Sequence, residues 1–242
     1  MNPTDVLDNP VWHSLCTNHA HFALGDRLAK RYPPDVAPFV ALANLSEAAF
    51  ADLARITALG ETLVLRGFEL PADLPGWQIH EQKQIVQMIY EPLQPPPPPP
   101  PPEVERGAAI LTLTDADLPD MRRLIDIAQP GPFLARTIRL GTYLGIRIRH
   151  GDQLIALAGE RMVPPGYREI SAVCTHPDHR GRGYARLLMT RLMAQQIERG
   201  EVPILHVMPE NVGAQRVYQS LGFRKRRDLP YAALSRKLII KS

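Results

Sequence analysis

The run EISAVCTHPDHRGRGYAR, Glu169 to Arg186, reads as a strand that stops at a tight glycine-bearing turn and restarts as a helix. Ile170 to Cys174 suit a buried strand, and Pro177 with Asp178 ends the ladder because proline has no amide to donate. Arg180-Gly181-Arg182-Gly183-Tyr184-Ala185 follows and opens an amphipathic run. The first amides of a helix have no partner inside it, so two glycines at that point leave a bare electropositive cup for an anion, with a diphosphate as the natural guest.

Working outward, the helix runs from about Gly183 to Glu198, buries Leu187, Leu188, Met189, Leu192 and Met193, and stops at Gly200. Pro203 to Met208 reads as a strand, Asn211 to Leu221 as a helix, and two final strands end near Ile240. Upstream of the opening stretch, Tyr143 to Arg149 and Leu154 to Arg161 form a hairpin around His150-Gly151-Asp152. Ahead of it come a strand over Ala109 to Thr112, a helix over Asp115 to about Ala128 capped by Thr114, and a short helix over Phe133 to Leu140.

Eight consecutive prolines, Pro95 to Pro102, mark a boundary: they stiffen into a polyproline II rod and read as a spacer, with an adaptor site as the other use. The chain therefore divides into a mixed α/β N-terminal lobe (1–94), a linker (95–107) and a second domain (108–242). In the first lobe, His19 to Leu24 and Arg27 to Tyr32 read as paired strands about Gly25-Asp26. A Ser46-capped helix runs to about Ala58 with Leu45, Ala49, Leu53 and Ile56 on one face, and strands follow at Thr62 to Leu65 and Trp77 to Tyr90. His13, Cys16, His19 and His21 fall within nine residues but match no standard zinc spacing, so they read as structural and no metal is expected.

At 242 residues and 45% hydrophobic content the chain is globular, and no apolar run approaches the ~20 residues of a membrane span. An acid- and proline-bearing N-terminus and two lone cysteines, Cys16 and Cys174, point to the cytoplasm rather than an oxidising compartment. Residues 1–102 hold 6 Lys/Arg against 11 Asp/Glu, and residues 103–242 hold 22 against 14. The basic half carries scattered arginines without interleaved aromatics, which argues against nucleic acid.

The order β-α-α-β-β-β-α-β-α-β-β, with Val173-Cys174-Thr175, His176-Pro177 and Arg180-Gly181-Arg182-Gly183-Tyr184-Ala185 at its centre, resembles the GNAT superfamily of acyl-CoA-dependent N-acyltransferases. Asn211-x-x-Ala214-x-x-x-Tyr218-x-x-x-Gly222-Phe223 is similar to that family's second signature, and the likeness spans about residues 108–240. The N-terminal lobe also resembles two-lobed members such as the glycine N-acyltransferase-like group. The resemblance implies an α/β (α+β) fold, a mixed and largely antiparallel central sheet flanked by helices. It further implies an acetyl-CoA co-substrate and an amine acceptor, read as a small molecule, with no metal, no membrane, and a monomer or homodimer.

Carried over to these residues, the resemblance gives the backbone of Val173, Cys174 and Thr175 to the pantetheine arm. Gly181, Arg182, Gly183, Tyr184, Ala185 and Arg186 fall to the diphosphate, with Arg180 and Asn211 alongside. It makes Tyr218 the acid that protonates the leaving thiolate and Glu169 the base for the incoming amine, with His206 in reserve. Parity along the strand puts Glu169 on the face of Ser171 and Val173; a surface ion pair with Arg168 or another arginine is its other reading. Cys174 as an acyl carrier is disfavoured by its mid-strand place. The expected reaction is direct acetyl transfer in a ternary complex; the alternative is a non-catalytic acyl-CoA-binding or interaction module.

Overall fold

The computed structural model describes residues 3–92, 108–148 and 153–237. The proline run and the His150-Gly151-Asp152 turn lie outside them. The chain gives α1 (Pro10–Cys16), β1 (Ala29–Arg31), β2 (Phe39–Leu42), α2 (Glu47–Arg55), β3 (Leu63–Arg66) and β4 (Trp77–Tyr90). After the prolines come β5 (Ala108–Thr112), α3 (Leu118–Ala128), β6 (Tyr143–Ile148), β7 (Leu154–Glu160), β8 (Tyr167–Thr175), α4 (Tyr184–Glu198), β9 (Val202–Val207), α5 (Val212–Ser220) and β10 (Phe223–Arg236). Among the described residues the ten strands join one sheet in the order β1-β2-β3-β10-β4-β9-β8-β7-β6-β5, antiparallel except at β2/β3 and β8/β9. This is the mixed, largely antiparallel sheet flanked by helices that was expected. No helix among the described residues is long and apolar enough to cross a membrane.

Local chemistry explains why most elements begin and end where they do. The Ser46 hydroxyl accepts the Ala49 amide at 3.3 Å and starts α2, which buries Ala49, Phe50 and Leu53. The Asp117 carboxylate accepts the Thr114 amide at 2.8 Å, and a short 3-10 turn there leads into α3. Asn211 caps α5 by accepting the Ala214 amide at 3.1 Å. The α4 side chains Leu188, Met189 and Leu192 are fully buried against β7, β8 and β9. On the other side of this half of the sheet, α3 packs Met121 and Leu124 against Leu157 and Cys174.

Four expectations need correction. His19 to Leu24 is no strand: Ala20–Phe22 is a 3-10 turn, and only Leu24 bridges to Arg31 across the turn at Gly25. Phe133 to Leu140 is helical only over Thr137–Leu140, as a 3-10 turn. The two final strands are one, because Pro230 sits opposite Gln84 and accepts the Gly67 amide at 2.9 Å, so its missing donor does not break the ladder. Finally, the parity of β8 is reset halfway along. Leu157 opposes Cys174 and Gly159 opposes Ser171, so Ala158 faces both Ala172 and Val173, a bulge with Ala172 at φ +55°. Val173 therefore shares the α4 face with Ile170, while Ala172 and Cys174 face α3. Sequence reading also missed α1 and β2, both short and without a strong apolar period.

Candidate active site

β8 and β9 pair only from Tyr167 to Glu169 and then diverge, while β8 stays paired with β7 to Thr175. A parallel pair that splays leaves backbone donors and acceptors of its edges without strand partners, as at the rim of a sheet. The gap opens into a cavity of about 920 Å³. Its wall brings together Val173, Cys174 and Thr175, the turn and helix start from Arg180 through Gly181, Arg182, Gly183, Tyr184 and Ala185 to Arg186, and Asn211 with Tyr218 from the second signature.

At one end lies the turn into α4. Gly181 and Gly183 sit at φ +78° and +79°, where an L side chain is strained, and a Cβ on either would meet nothing within 4 Å. The glycines are thus required by backbone shape, and the space above them is open for a guest. Arg180 turns back to the Thr175 carbonyl at 3.4 Å, and Arg186 reaches the Ser220 hydroxyl at 3.3 Å.

Tyr218 is half-buried on α5, one turn after Ala214, with its ring 6.3 Å from that of Phe223. Burial pushes its phenol up to about 12, so the group keeps its proton and is a donor at neutral pH. Burial also pushes the Cys174 thiol up to about 12, which leaves it without the thiolate character of a nucleophile.

Glu169 is fully buried and does not line the cavity. Arg161, its counterpart across the Pro164-Pro165-Gly166 turn, donates from Nε to Oε2 at 2.8 Å and from Nη2 to Oε1 at 2.6 Å. His206 Nδ1 lies 2.8 Å from the same Oε1. Burial opposes the charge, but the Arg161 guanidinium and the His206 contact outweigh it and hold the carboxyl well below its usual range. Arg168, by contrast, pairs with Glu201 at 2.6 Å.

The protonation of His206 is fixed by Gln87, its cross-strand neighbour on β4. Gln87 Oε1 accepts from Arg226 at 2.8 Å and its Nε2 donates to the Leu7 carbonyl at 2.8 Å, so the amide has one sensible orientation. That same Nε2 stands 3.0 Å from His206 Nε2, which must therefore accept, leaving the proton on Nδ1 for Glu169. Burial agrees, lowering His206 to about 4. The imidazole is neutral and its lone pair is in use.

The other end of the cavity comes from residues no motif pointed to: Phe39 on β2, Val64 and Arg66 on β3, Ile85 on β4, Arg161 after β7 and Tyr231 on β10. The Arg66 and Arg161 guanidinium carbons stand 4.5 and 4.9 Å from the centre of the Phe39 ring. Arg161 could have been found, since 161 and 169 lie symmetrically about Pro165; the rest are joined only by the sheet. The four-residue His/Cys group is dispersed in role: Cys16 is exposed, while buried His19 meets the Tyr32 hydroxyl at 2.8 Å. No group of three His, Cys, Asp or Glu that could hold a metal ion occurs among the described residues.

Residues 143–231, which contain both the splayed strands and the glycine turn, match the family described as FR47-like protein. A GCN5-related N-acetyltransferase from Kribbella flavida shares the fold, with TM-score 0.58 and 16% identity over 95% of this chain and 96% of that one. No curated protein matches, and neither comparison reaches the narrower glycine N-acyltransferase-like group. A protein from Novosphingobium aromaticivorans, assigned to the GNAT family of acetyltransferases, is 35% identical with TM-score 0.82 over 96% of this chain and 99% of its own. With that identity held across almost the whole of both chains, this chain belongs to the GNAT family of acetyltransferases.

Proposed function

We propose that the chain transfers an acetyl group from acetyl-CoA to a primary amine by direct attack in a ternary complex. The observation that carries this is the single cavity running from the open glycine turn, along the splayed edge of β8, to Tyr218. An extended amide-bearing arm would pair with backbone at Val173 and Thr175 as a strand does, and the diphosphate would rest over Gly181 to Arg186. Side-chain identity matters little along the first and much at the glycines.

In the transfer, the amine lone pair attacks the thioester carbonyl, a C–N bond forms, and the C–S bond breaks as the tetrahedral adduct collapses. Tyr218, protonated at neutral pH, gives its proton to the departing sulfur, and the proton that the attacking nitrogen sheds on becoming an amide returns through solvent to the phenolate. Glu169 is sealed from the cavity with both oxygens occupied, so we assign it to positioning Arg161 and His206 rather than to abstracting the amine's proton. The acceptor then reacts as its free base, and kcat/KM is expected to climb with pH toward the acceptor's own pKa with no enzymic step near neutrality.

Calorimetric titration with acetyl-CoA, followed by free-thiol release with an amine panel, tests the reading. Tyr218→Phe should lower kcat about 10- to 100-fold while acetyl-CoA affinity stays unchanged. Absence of acetyl-CoA binding would overturn the function; full activity of the Tyr218 variant would overturn only its role.

A further inference from the structure

The end of the cavity opposite the glycine turn holds one buried positive charge too many. Arg66 and Arg161 bring two cations to it, Glu169 brings one carboxylate, and His206 is neutral because Gln87 occupies its second nitrogen. Arg161 is satisfied by its two hydrogen bonds to Glu169. Arg66 is not: it is only 6% exposed, its Nε and Nη1 have no hydrogen-bond partner, and Nη1 stands 3.6 Å from Glu169, beyond hydrogen-bonding distance. A desolvated cation with orphaned donors is costly, and the face of Phe39 offers it electrostatic relief but no acceptor.

We propose that the acceptor is a primary amine carrying a carboxylate, an amino acid or a compound of that kind, and that Arg66 is the residue that binds the carboxylate. Arg66 lines the same cavity as Tyr218 and the glycine turn, so an acceptor held there lies on the path to the thioester. A guanidinium fork matches a planar carboxylate in two parallel hydrogen bonds. The spare charge is one, which a monoanion cancels and a phosphomonoester dianion would reverse. Phe39, Val64 and Ile85 beside it are apolar and suit the body of the acceptor.

The inference rests on the acetyltransferase reading, and the test separates the two. On the full chain, acetyl-CoA binding is measured first by calorimetry; no binding overturns the acetyltransferase reading itself. Thiol release is then compared for amino acids, their carboxamides and the corresponding decarboxylated amines. We expect kcat/KM for the preferred acid to exceed that of its amide about 100-fold, and Arg66→Met to abolish that preference chiefly through KM while sparing acetyl-CoA affinity. Amides or simple amines turned over as well as acids, or a preference that survives in Arg66→Met, would overturn the carboxylate assignment and leave acetyl transfer standing. Stability supplies a control that a purely structural Arg66 would fail: removing an uncompensated buried cation should leave the ligand-free melting midpoint unchanged or higher, whereas a fall of several degrees would mark Arg66 as a structural element. Calorimetry of the N-acetyl amino acid products against their amides on the unaltered chain gives the same discrimination without a variant, and equal binding there would also refute the proposal.

Discussion

Glu169 and Arg66 sit 3.6 Å apart in one buried cluster, yet their removal should act in opposite directions. Glu169→Gln strips the one carboxylate that pairs with Arg161 and Arg66 among the described residues and leaves two uncompensated cations, a loss of about 3–5 kcal/mol by urea unfolding. Combining it with Arg66→Met restores the net charge of the unaltered cluster, so the double variant should recover part of that loss, and simple additivity of the two changes would contradict the charge argument. The same residues set an acid limit. Glu169 has a folded pKa below its unfolded one, so its contribution is present above the unfolded value and is lost as pH falls toward the folded value. His206 is depressed from 6.5 to about 4, so the unfolded chain binds more protons across that window and stability falls from about pH 6.5 to about pH 4. Unfolding free energy should be flat above that window, and His206→Gln should flatten the upper part of the decline.

At the scale of elements, the turn into α4 and the bulge in β8 do the shaping. Gly183→Ala places a side chain at φ +79° with no neighbour to clash, so the structural cost is conformational, roughly 1–2 kcal/mol. Because the added methyl enters the open space above the helix start, acetyl-CoA affinity should fall at least about 10-fold, measured by calorimetry; unchanged affinity would move the diphosphate elsewhere. This turn was legible in the sequence, since glycine adopts that backbone without strain and the pattern is local. The bulge was not. Period-two reading assumes unbroken pleating, and Ala172 at φ +55° carries no composition signal that would have shifted Val173 to the face of Ile170.

Across the whole molecule, the strand that completes the site's sheet comes from before the prolines. β4 lies between β10 and β9, pairing from Phe223 to Arg236 on one side and from Ile204 to Val207 on the other. A fragment beginning at residue 108 would expose both partners along their length and lose Gln87, which orients His206. It is expected to be aggregated or molten by near-ultraviolet circular dichroism, whereas co-expression with residues 1–94 should restore a native spectrum. The end of the cavity opposite the glycine turn depends on the same arrangement, with Phe39, Val64, Arg66 and Ile85 all preceding the prolines.

The sequence by itself determined the elements whose causes are local. These are the Ser46-capped helix, the helix from Asn211, the hairpin strands, the glycine turn, the apolar face of α4 and the second signature around Tyr218, enough to place the glycine-turn end of the cavity. Only the tertiary structure decided the opposite end. Its residues come from β2, β3, β4, β10 and the end of β7, far apart in sequence, and a charge balance among Arg66, Arg161, Glu169 and His206 exists only once burial removes water and the sheet sets them side by side.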